Sequence, residues 1–466
     1  MRDILFQYEL SPTTWAYLSA LLTLGIYFKF GRFWSVRNLD LVGLIVLSPG
    51  LLLVFHGLVN VEEGLRLIRE ALVQGNQDLV QRGQDLLQRG LGLVQFGYAW
   101  MLAVGGFFLL RLFLDPVMVR RPLLEPNLNA GGLTFTGASL LVFLIANVLS
   151  EKPPERLENK LPPQDAALLE SPGCAAFYYV ATFCGTPQAP AERTGARWEY
   201  PSTGVQVIIS RVVTIAAMLA LVVGMVVIGY RHFGNLQTGV AAASLFLLLP
   251  YTGQMFGRID HMVPAAVLVW VVAAYRRPLP AGLLLGMAAA LSFYPLFLFP
   301  LWCSFYWRRG LTRYLIGFAF ALLAAVLGLV FLSDGFEAIA AQLRQMFGAT
   351  ILAQDTGSGF WRDFGWAGRI PVLAVFAVVS LSLGLWPAHK NLGTLLSCSA
   401  AVMLGAQYCQ GHEGGLYMAW YLPLLVLTIF RPNLEDRVAL SAVIEGRTTW
   451  VARLVARLRR KKTAPV

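Results

Sequence analysis

Hydrophobic residues occur along this chain in long runs that short polar segments separate. Runs of about 17–25 apolar residues are typical of membrane-spanning helices, because ~20 residues at 1.5 Å each cross a hydrocarbon layer of ~30 Å. Such runs lie near 12–30, 39–59, 93–114, 132–149, 205–229, 237–252, 262–275, 313–332, 369–386, 392–410 and 416–430. The pattern predicts an all-α fold, a polytopic transmembrane helical bundle of about 11–13 spans.

One further apolar stretch, 279–307, is interrupted by Pro295 and Pro300. Proline removes a backbone donor, which is tolerated at membrane depth where the backbone lines a cavity or packs on protein. We therefore expect two short helices that meet at a bend.

Basic residues in the short loops predict the orientation of the bundle. If 279–307 enters and returns on one side, the loop lysines and arginines share that side: Lys29, Arg32, Arg37, Arg120, Arg121, Arg231, Arg276, Arg277, Arg308, Arg309, Arg313 and Lys390. This predicts a cytoplasmic C-terminus and an external N-terminus. The first run lacks the pattern of a cleavable signal peptide, so we expect it to remain as an anchor.

The polar segments divide a single transmembrane domain, 1–466, into smaller regions. Residues 60–92 contain the repeat QDLVQRG and QDLLQRG, whose spacing of leucine and valine predicts an external amphipathic helix on the outer membrane surface. Two external loops are expected at 150–203 and 333–368. A basic cytoplasmic tail, 431–466, is expected to lie against anionic lipid.

Composition supports an integral membrane protein and excludes a soluble globular domain. Of the 466 residues, 57% are hydrophobic and only 14% are charged. The net charge of +11 does not indicate a nucleic-acid partner, because the basic residues cluster at the ends of apolar runs and near the C-terminus. Cys174 and Cys184 share the 150–203 loop, and their spacing alone leaves open whether they form a disulfide.

The segment GQMFGRIDHM, 253–262, places three ionisable groups beside apolar spans: Arg258, Asp260 and His261. Ionisable groups at membrane depth cost ~2.5 kcal/mol or more each, so they usually line a cavity or pair with one another. A simple Arg258–Asp260 ion pair that caps a helix explains this pattern as well as a functional site does.

The wider stretch 250–310 resembles the signature region of the polytopic glycosyltransferases of the C superfamily (GT-C). The resemblance is greatest to the bacterial branch of polyprenyl-phosphate-mannose-dependent mannosyltransferases. Its elements, in order, are Gly257, Arg258 and Asp260, then Arg276 and Arg277, then AGLLLG at 281–286, and Ser292 before Pro295. The resemblance implies a GT-C fold in the bacterial inner membrane. It also implies transfer of a sugar, mannose in that branch, from a polyprenyl-phosphate carrier to a lipid or glycan acceptor on the outer face.

Such a transfer needs a carboxylate to take the acceptor proton, and cations or donors to stabilise the departing phosphate. Relatives usually supply the base as an aspartate at the start of the first large external loop. Here that position reads HGLVNVEEGLR, without an aspartate. Glu62 and Glu63 are the nearest carboxylates and join Asp260 as catalytic candidates, although both glutamates could simply favour the start of a helix.

The candidates for substrate binding are ionisable residues of the predicted external segments: Arg258, His261, His412, Glu413, Arg362 and Asp363. Arg258 and His261 suit phosphate contact, with Asp260 orienting one of them. A loop histidine such as His412 is more often merely solvated. The aromatic residues around Arg362 and Asp363 suit sugar stacking or anchoring at the membrane interface.

No cofactor is predicted, because the chain has no Walker-type glycine loop, zinc-spaced Cys/His cluster or nucleophile elbow. The sequence leaves a divalent metal open. A non-catalytic membrane subunit or degenerate relative is the main alternative, since the usual aspartate is missing. A transporter would show paired broken helices in two related halves, and only one broken segment is visible.

Overall fold

The computed structural model describes residues 11–117, 125–150, 204–292, 294–332, 359–362, 365–387, 390–410 and 414–432. These residues form helices and no strands. The α-helices are α1 (Pro12–Tyr27), α2 (Val36–Gln74), α3 (Gln77–Leu114), α4 (Ala130–Ser150), α5 (Gly204–His232), α6 (Leu236–Leu248), α7 (Pro250–Met255), α8 (Ile259–Ala273), α9 (Pro278–Leu291), α10 (Phe299–Tyr306), α11 (Leu311–Leu332), α12 (Gly365–Leu385), α13 (Leu392–Cys409) and α14 (Leu422–Phe430).

Seven of the helices in the described ranges are long and apolar enough to cross a membrane: α2, α3, α4, α5, α11, α12 and α13. Helices α6, α8 and α9 are apolar but shorter. The predicted all-α, polytopic membrane bundle is confirmed. Several of the predicted spans correspond to helices that are interrupted part-way.

The interruptions coincide with prolines. Helix α6 ends at Leu248, the next residue, Leu249, has a non-helical ψ of 139°, and Pro250 begins α7. Helix α9 ends at Leu291, a 3-10 turn follows at Tyr294–Leu298, and α10 begins at Phe299. The predicted pair of short helices meeting at a bend in 279–307 is confirmed.

The 60–92 segment is divided between two long helices. Residues 60–74 continue α2, and 77–92 form the first half of α3. Gly75 reverses the chain with a left-handed φ of 68°, and the Asn76 side chain accepts from the backbone of Asp78 and Leu79 to begin α3. The structure therefore has an antiparallel hairpin here, where the sequence pattern predicted one helix on the membrane surface.

A row of glycines on each helix explains the pairing. They recur every seven residues and face one another in three pairs: Gly50 with Gly97, Gly57 with Gly90, and Gly64 with Gly83. A Cβ on Gly57 would lie 2.8 Å from the carbonyl oxygen of Gly90, so only glycine permits this approach. Branched side chains fill the intervening positions, and Val61 packs against Gly90. We call these three pairs the glycine seam.

The hairpin is longer than a membrane is thick. Helix α2 has 39 residues, which at 1.5 Å per residue gives about 58 Å, roughly twice the hydrocarbon layer. Its distal half carries exposed charges, with Arg66 3.9 Å from both Glu63 and Glu70. This charged half therefore projects beyond the hydrocarbon.

A buried ionic network joins the helix ends at the opposite extremity. Arg111 contacts Asp40 through two bonds of 3.1 Å and Asp115 through one of 2.9 Å. Arg431 contacts Asp115 at 2.7 Å, and its carbonyl accepts from Arg37 at 3.0 Å. All five residues are buried. The network ties the start of α2 and the end of α3 to the end of α14.

Lys390 lies in the short segment between α12 and α13 and is also buried. Its ammonium donates to Ser304 Oγ at 3.0 Å and to the carbonyls of Gly384 and Pro387 at 3.2 and 2.9 Å. Burial lowers the pKa of Lys390 below its ordinary value. This predicted cytoplasmic cation therefore helps to hold the chain between two spans together.

The AGLLLG element is a packing surface. A Cβ on Gly286 would lie 2.7 Å from the carbonyl oxygen of Phe318 on α11, and Gly282 faces the carbonyl of Tyr314. Gly317 in turn faces the carbonyl of Leu279. These glycines allow α9 and α11 to approach closely, so this part of the resemblance supports the bundle and supplies no chemical group.

Candidate functional site

The α7–α8 junction carries the GRIDHM segment at the end of the bundle away from the ionic network. Helix α13 connects the two ends. Gly393 at its start touches the Arg431 side chain, and Gln407 near its end accepts from the backbone of Gly415, two residues before Tyr417, whose ring stacks on His261. Arg258 is partly buried and stands directly before α8, where its carbonyl accepts from the backbone of His261 and Met262.

His261 is the centre of this end of the bundle. Its side chain is fully buried, its Nδ1 shares a hydrogen bond of 2.6 Å with the hydroxyl of Tyr251, and its ring stacks on Tyr417 with centroids 4.5 Å apart. Two elements distant in sequence therefore meet at this ring: the α7–α8 junction and the segment that precedes α14.

Further aromatic rings extend the contact to the bend. Tyr417 lies 4.8 Å from Trp420, and Trp420 lies 6.1 Å from Tyr294 in the 3-10 turn of the bend. We call Tyr251, His261, Tyr294, Tyr417 and Trp420 the histidine–aromatic cluster. It brings together three regions that the sequence analysis singled out: the α7–α8 junction, the bend, and the segment that follows His412 and Glu413.

A tight turn holds the 414–421 segment against α13. Gly415 has a left-handed φ of 104° and donates to Gln407 Oε1 at 3.3 Å. A Cβ on Gly414 would lie 2.7 Å from the carbonyl oxygen of Gln407. The last two glycines of QGHEGG, Gly414 and Gly415, are therefore required by the backbone path. His412 and Glu413 precede them and lie outside the described residues.

Glu62 and Glu63 lie on the projecting half of α2. Both are exposed, and Glu63 faces Arg66. Leu51 on the same helix lines a small apolar pocket together with Tyr251. Glu62 follows Leu51 by 11 residues, which places it about 16 Å farther along the helix axis. Of the three catalytic candidates, only Asp260 adjoins the cluster in sequence. Asp260 is the second residue of α8.

The first helix covers the α7–α8 region. Trp15 donates from Nε1 to the carbonyl of Leu249 at 3.5 Å, and a Cβ on Gly253 would lie 2.7 Å from that nitrogen. Thr13 Oγ1 lies 3.2 Å from Nε2 of His56 on α2. Sequence reasoning did not select these residues, because their contacts join segments that are far apart along the chain.

Within the GSGFWRDFGW segment, the described turn at Gly359–Arg362 packs against the bundle. A 3-10 turn, Gly359–Arg362, places Trp361 against α13, where its Nε1 donates to the carbonyl of Tyr408 at 2.9 Å. Trp361 is only 8% exposed, so it stabilises this turn and does not present a free face to a sugar. Asp363 lies outside the described residues. No group of three or more His, Cys, Asp or Glu that could hold a metal occurs in the described ranges.

Comparison with known families bears directly on this region. A family model for glycosyltransferase family 87 matches residues 199–409. The matched range contains the α7–α8 junction and the bend, and it ends with α13. It supports the resemblance to GT-C membrane glycosyltransferases, but it does not select the mannosyltransferase branch. No curated protein and no solved structure matches the chain.

Proposed function

We propose that this multi-pass membrane protein is a glycosyltransferase that moves a sugar from a polyprenyl-phosphate carrier to a lipid or glycan acceptor. We place the reaction on the outer face of the bacterial inner membrane, with mannose as the first sugar to test. The observation that carries the proposal is the family 87 match over the region that contains the α7–α8 junction.

The reaction transfers one group and one proton. The acceptor oxygen bonds to the anomeric carbon, the bond from that carbon to the phosphate oxygen breaks, and the polyprenyl phosphate leaves with the bonding electrons. The acceptor proton passes to a carboxylate. We assign this proton to Asp260 first, because Asp260 adjoins His261, whereas Glu62 lies about 16 Å along α2 from the level of Leu51. Glu62 and Glu63 are the second assignment.

The departing phosphate suits the start of α8. Backbone N–H groups at a helix N-terminus attract anions, and Arg258 immediately precedes that terminus. We assign Arg258 to the phosphate. His261 is enclosed by Tyr251 and Tyr417, so a phosphate reaches it only when the cluster opens.

The other substrate-binding candidates belong to neighbouring segments. His412 and Glu413 precede the Gly414 turn, and Arg362 and Asp363 follow Trp361, which packs on α13. We propose that these four residues line the path of the sugar and the acceptor.

The test uses membranes that contain the protein and a panel of polyprenyl-phosphate donors with radiolabelled sugars. We expect label to enter an acceptor with one donor, and Asp260→Asn to reduce the rate by about 10²–10⁴-fold, the usual contribution of a general base. Glu62→Gln and Glu63→Gln test the second assignment. Glu70→Gln is the matched control, because Glu70 is an exposed carboxylate on the same helix.

Two outcomes would overturn parts of the proposal. Equal incorporation in membranes with and without the protein, across the donor panel, would favour a non-catalytic subunit. Full activity of Asp260→Asn with loss in Glu62→Gln would move the base to the hairpin. Labelling of Asp260→Cys and His412→Cys with an impermeant thiol reagent tests sidedness, and reaction from opposite compartments would refute a single external site.

A further inference from the structure

The turn that joins α1 to α2 presents aromatic and basic side chains outward. It reads FKFGRFW, residues 28–34, and contains a 3-10 turn at Phe30–Arg32. Phe30, Phe33 and Trp34 are 73%, 56% and 81% exposed. Arg32 is exposed between them. So many exposed rings are unusual in a short connecting turn. Other contacts must therefore hold the turn in this conformation.

Asn38 holds the turn from beneath. It is only 1% exposed. Its Nδ2 donates to the carbonyls of Lys29, Arg32 and Phe33 at 2.9, 3.0 and 3.3 Å, and its Oδ1 accepts from the backbone N–H of Lys29 at 3.2 Å. One buried side chain thus contacts four backbone groups of the turn, in addition to the backbone bonds from Arg32 to Lys29 and from Ser35 to Arg32.

Asn127 holds the other side of the same turn. Its Nδ2 donates to the carbonyls of Gly25 and Phe28 at 2.9 and 3.2 Å, and its Oδ1 accepts from Lys29 Nζ at 2.9 Å. Phe28 is buried, and its ring lies against those of Phe30 and Phe33. The shape of the turn is therefore fixed by the protein itself.

The position of the turn in the bundle indicates which molecules contact its exposed side chains. It joins two helices at the end of the bundle that carries the ionic network, because α2 begins at Val36 and Arg37 belongs to that network. Helix α2, which begins directly after the turn, is long and apolar enough to cross a membrane, and the residues that flank the start of such a span lie near the lipid headgroups. Tryptophan and phenylalanine rings beside arginine suit that layer, and Lys29 and Arg32 favour headgroups of negative charge.

We propose that residues 28–34 form a preformed seat for anionic lipid headgroups. The rings enter the interfacial layer, and Arg32 and Lys29 bind the lipid phosphate. Because Asn38 and Asn127 fix the turn in advance, the lipid does not have to order it. The seat is independent of the proposed transferase activity.

The experiment compares phosphatidylglycerol with phosphatidylcholine added to the full chain in detergent, with the melting temperature and the number of lipids retained in native mass spectrometry as readouts. We expect phosphatidylglycerol to raise the melting temperature more than phosphatidylcholine does. The difference should shrink in Arg32→Gln and in Trp34→Ala. It should persist in Phe320→Ala, which removes a 62% exposed ring from α11, and in Arg66→Gln on the hairpin.

Asn38→Leu separates a preformed seat from a simple collection of side chains. It removes the hydrogen bonds of the Asn38 side chain without adding a charge and keeps every side chain of residues 28–34, so we expect the preference for phosphatidylglycerol to fall as in Trp34→Ala. If Asn38→Leu does not fold, Arg32→Gln and Trp34→Ala decide the question. An unchanged preference in both would overturn the proposal. A change of oligomeric mass in Trp34→Ala at constant lipid would also overturn it, in favour of a second copy of the chain.

Discussion

The glycine seam predicts opposite effects for the same substitution two residues apart. A Cβ on Gly90 would lie 2.8 Å from the Gly57 carbonyl oxygen, from Val61 N and from Val61 Cγ2. A Cβ on Gly92 would have no atom within 4 Å. Gly90→Ala must therefore force α2 and α3 apart, whereas Gly92→Ala meets open space.

The size of the effect follows from two terms. Replacing glycine by alanine inside a helix stabilises it by roughly 0.5–1 kcal/mol, and both substitutions gain this term. Overpacking costs about 1–3 kcal/mol, and only Gly90→Ala incurs it, because two of its three close contacts are backbone atoms that cannot rotate away. The difference between the two variants thus isolates the packing cost.

Hydrogen exchange of the 60–89 backbone amides, followed by mass spectrometry in detergent, measures local opening of the hairpin. A difference of about 1–3 kcal/mol corresponds to roughly 5–150-fold faster exchange in Gly90→Ala than in Gly92→Ala. Slower exchange than wild type in both variants would show that backbone contact does not hold the hairpin together, and the seam would lose its explanatory role.

Three further predictions concern other contacts in the structure. Asp115→Ala leaves two buried arginines without their shared carboxylate and should lower the free energy of unfolding by about 3–5 kcal/mol, seen as a lower melting temperature. Gly317→Ala should destabilise the α9–α11 contact by about 1–3 kcal/mol while Gly328→Ala, which meets open space on the same helix, should not; equal melting temperatures would contradict this. Tyr251→Phe removes the 2.6 Å partner of His261 Nδ1 and should cost about 1–3 kcal/mol in thermal stability, with no loss expected if that bond is unimportant.

The membrane spans could be predicted from sequence because length and hydrophobicity alone define them. Residues 130–150 and 392–409 coincide with apolar runs to within two residues. The bend at 279–307 could be predicted for a different reason, since two prolines remove donors in mid-span. Both signals are local, and neither requires knowledge of a partner segment.

The hairpin could not be predicted in the same way. Its distal helices carry many charges, and their contact is made by glycines, which contribute almost no hydrophobic signal. The repeat QDLVQRG was visible, but its final glycine was the informative residue. Glycines at 50, 57 and 64 and at 83, 90 and 97 share one seven-residue spacing, and matching these two series would have identified an antiparallel pair.

Part of the candidate site could be predicted from the sequence, and part could not. The GRIDHM segment stood out because charge is rare in this chain, and the structure places His261 at the centre of a cluster. The rings around it did not stand out, because aromatic residues make up 12% of the sequence. Helices α9 to α13 lie between His261 and Tyr417 in the sequence, so only the fold brings the two rings together.

The two ends of the bundle are held by contacts of different strength, and this difference bears on where a substrate can enter. At the end that carries the ionic network, separating the helices would leave Arg111 or Asp115 unpaired in an apolar interior, which costs several kcal/mol for each charge. At the other end the contacts around His261 are its hydrogen bond with Tyr251, for which we expect about 1–3 kcal/mol, ring stacking worth about 0.5–1.5 kcal/mol for each pair, and a turn that depends on Gly415. Opening is therefore less costly at the end that contains the histidine–aromatic cluster. The same end contains the α8 terminus and the residues to which we assign the phosphate, so access and chemistry favour a single location.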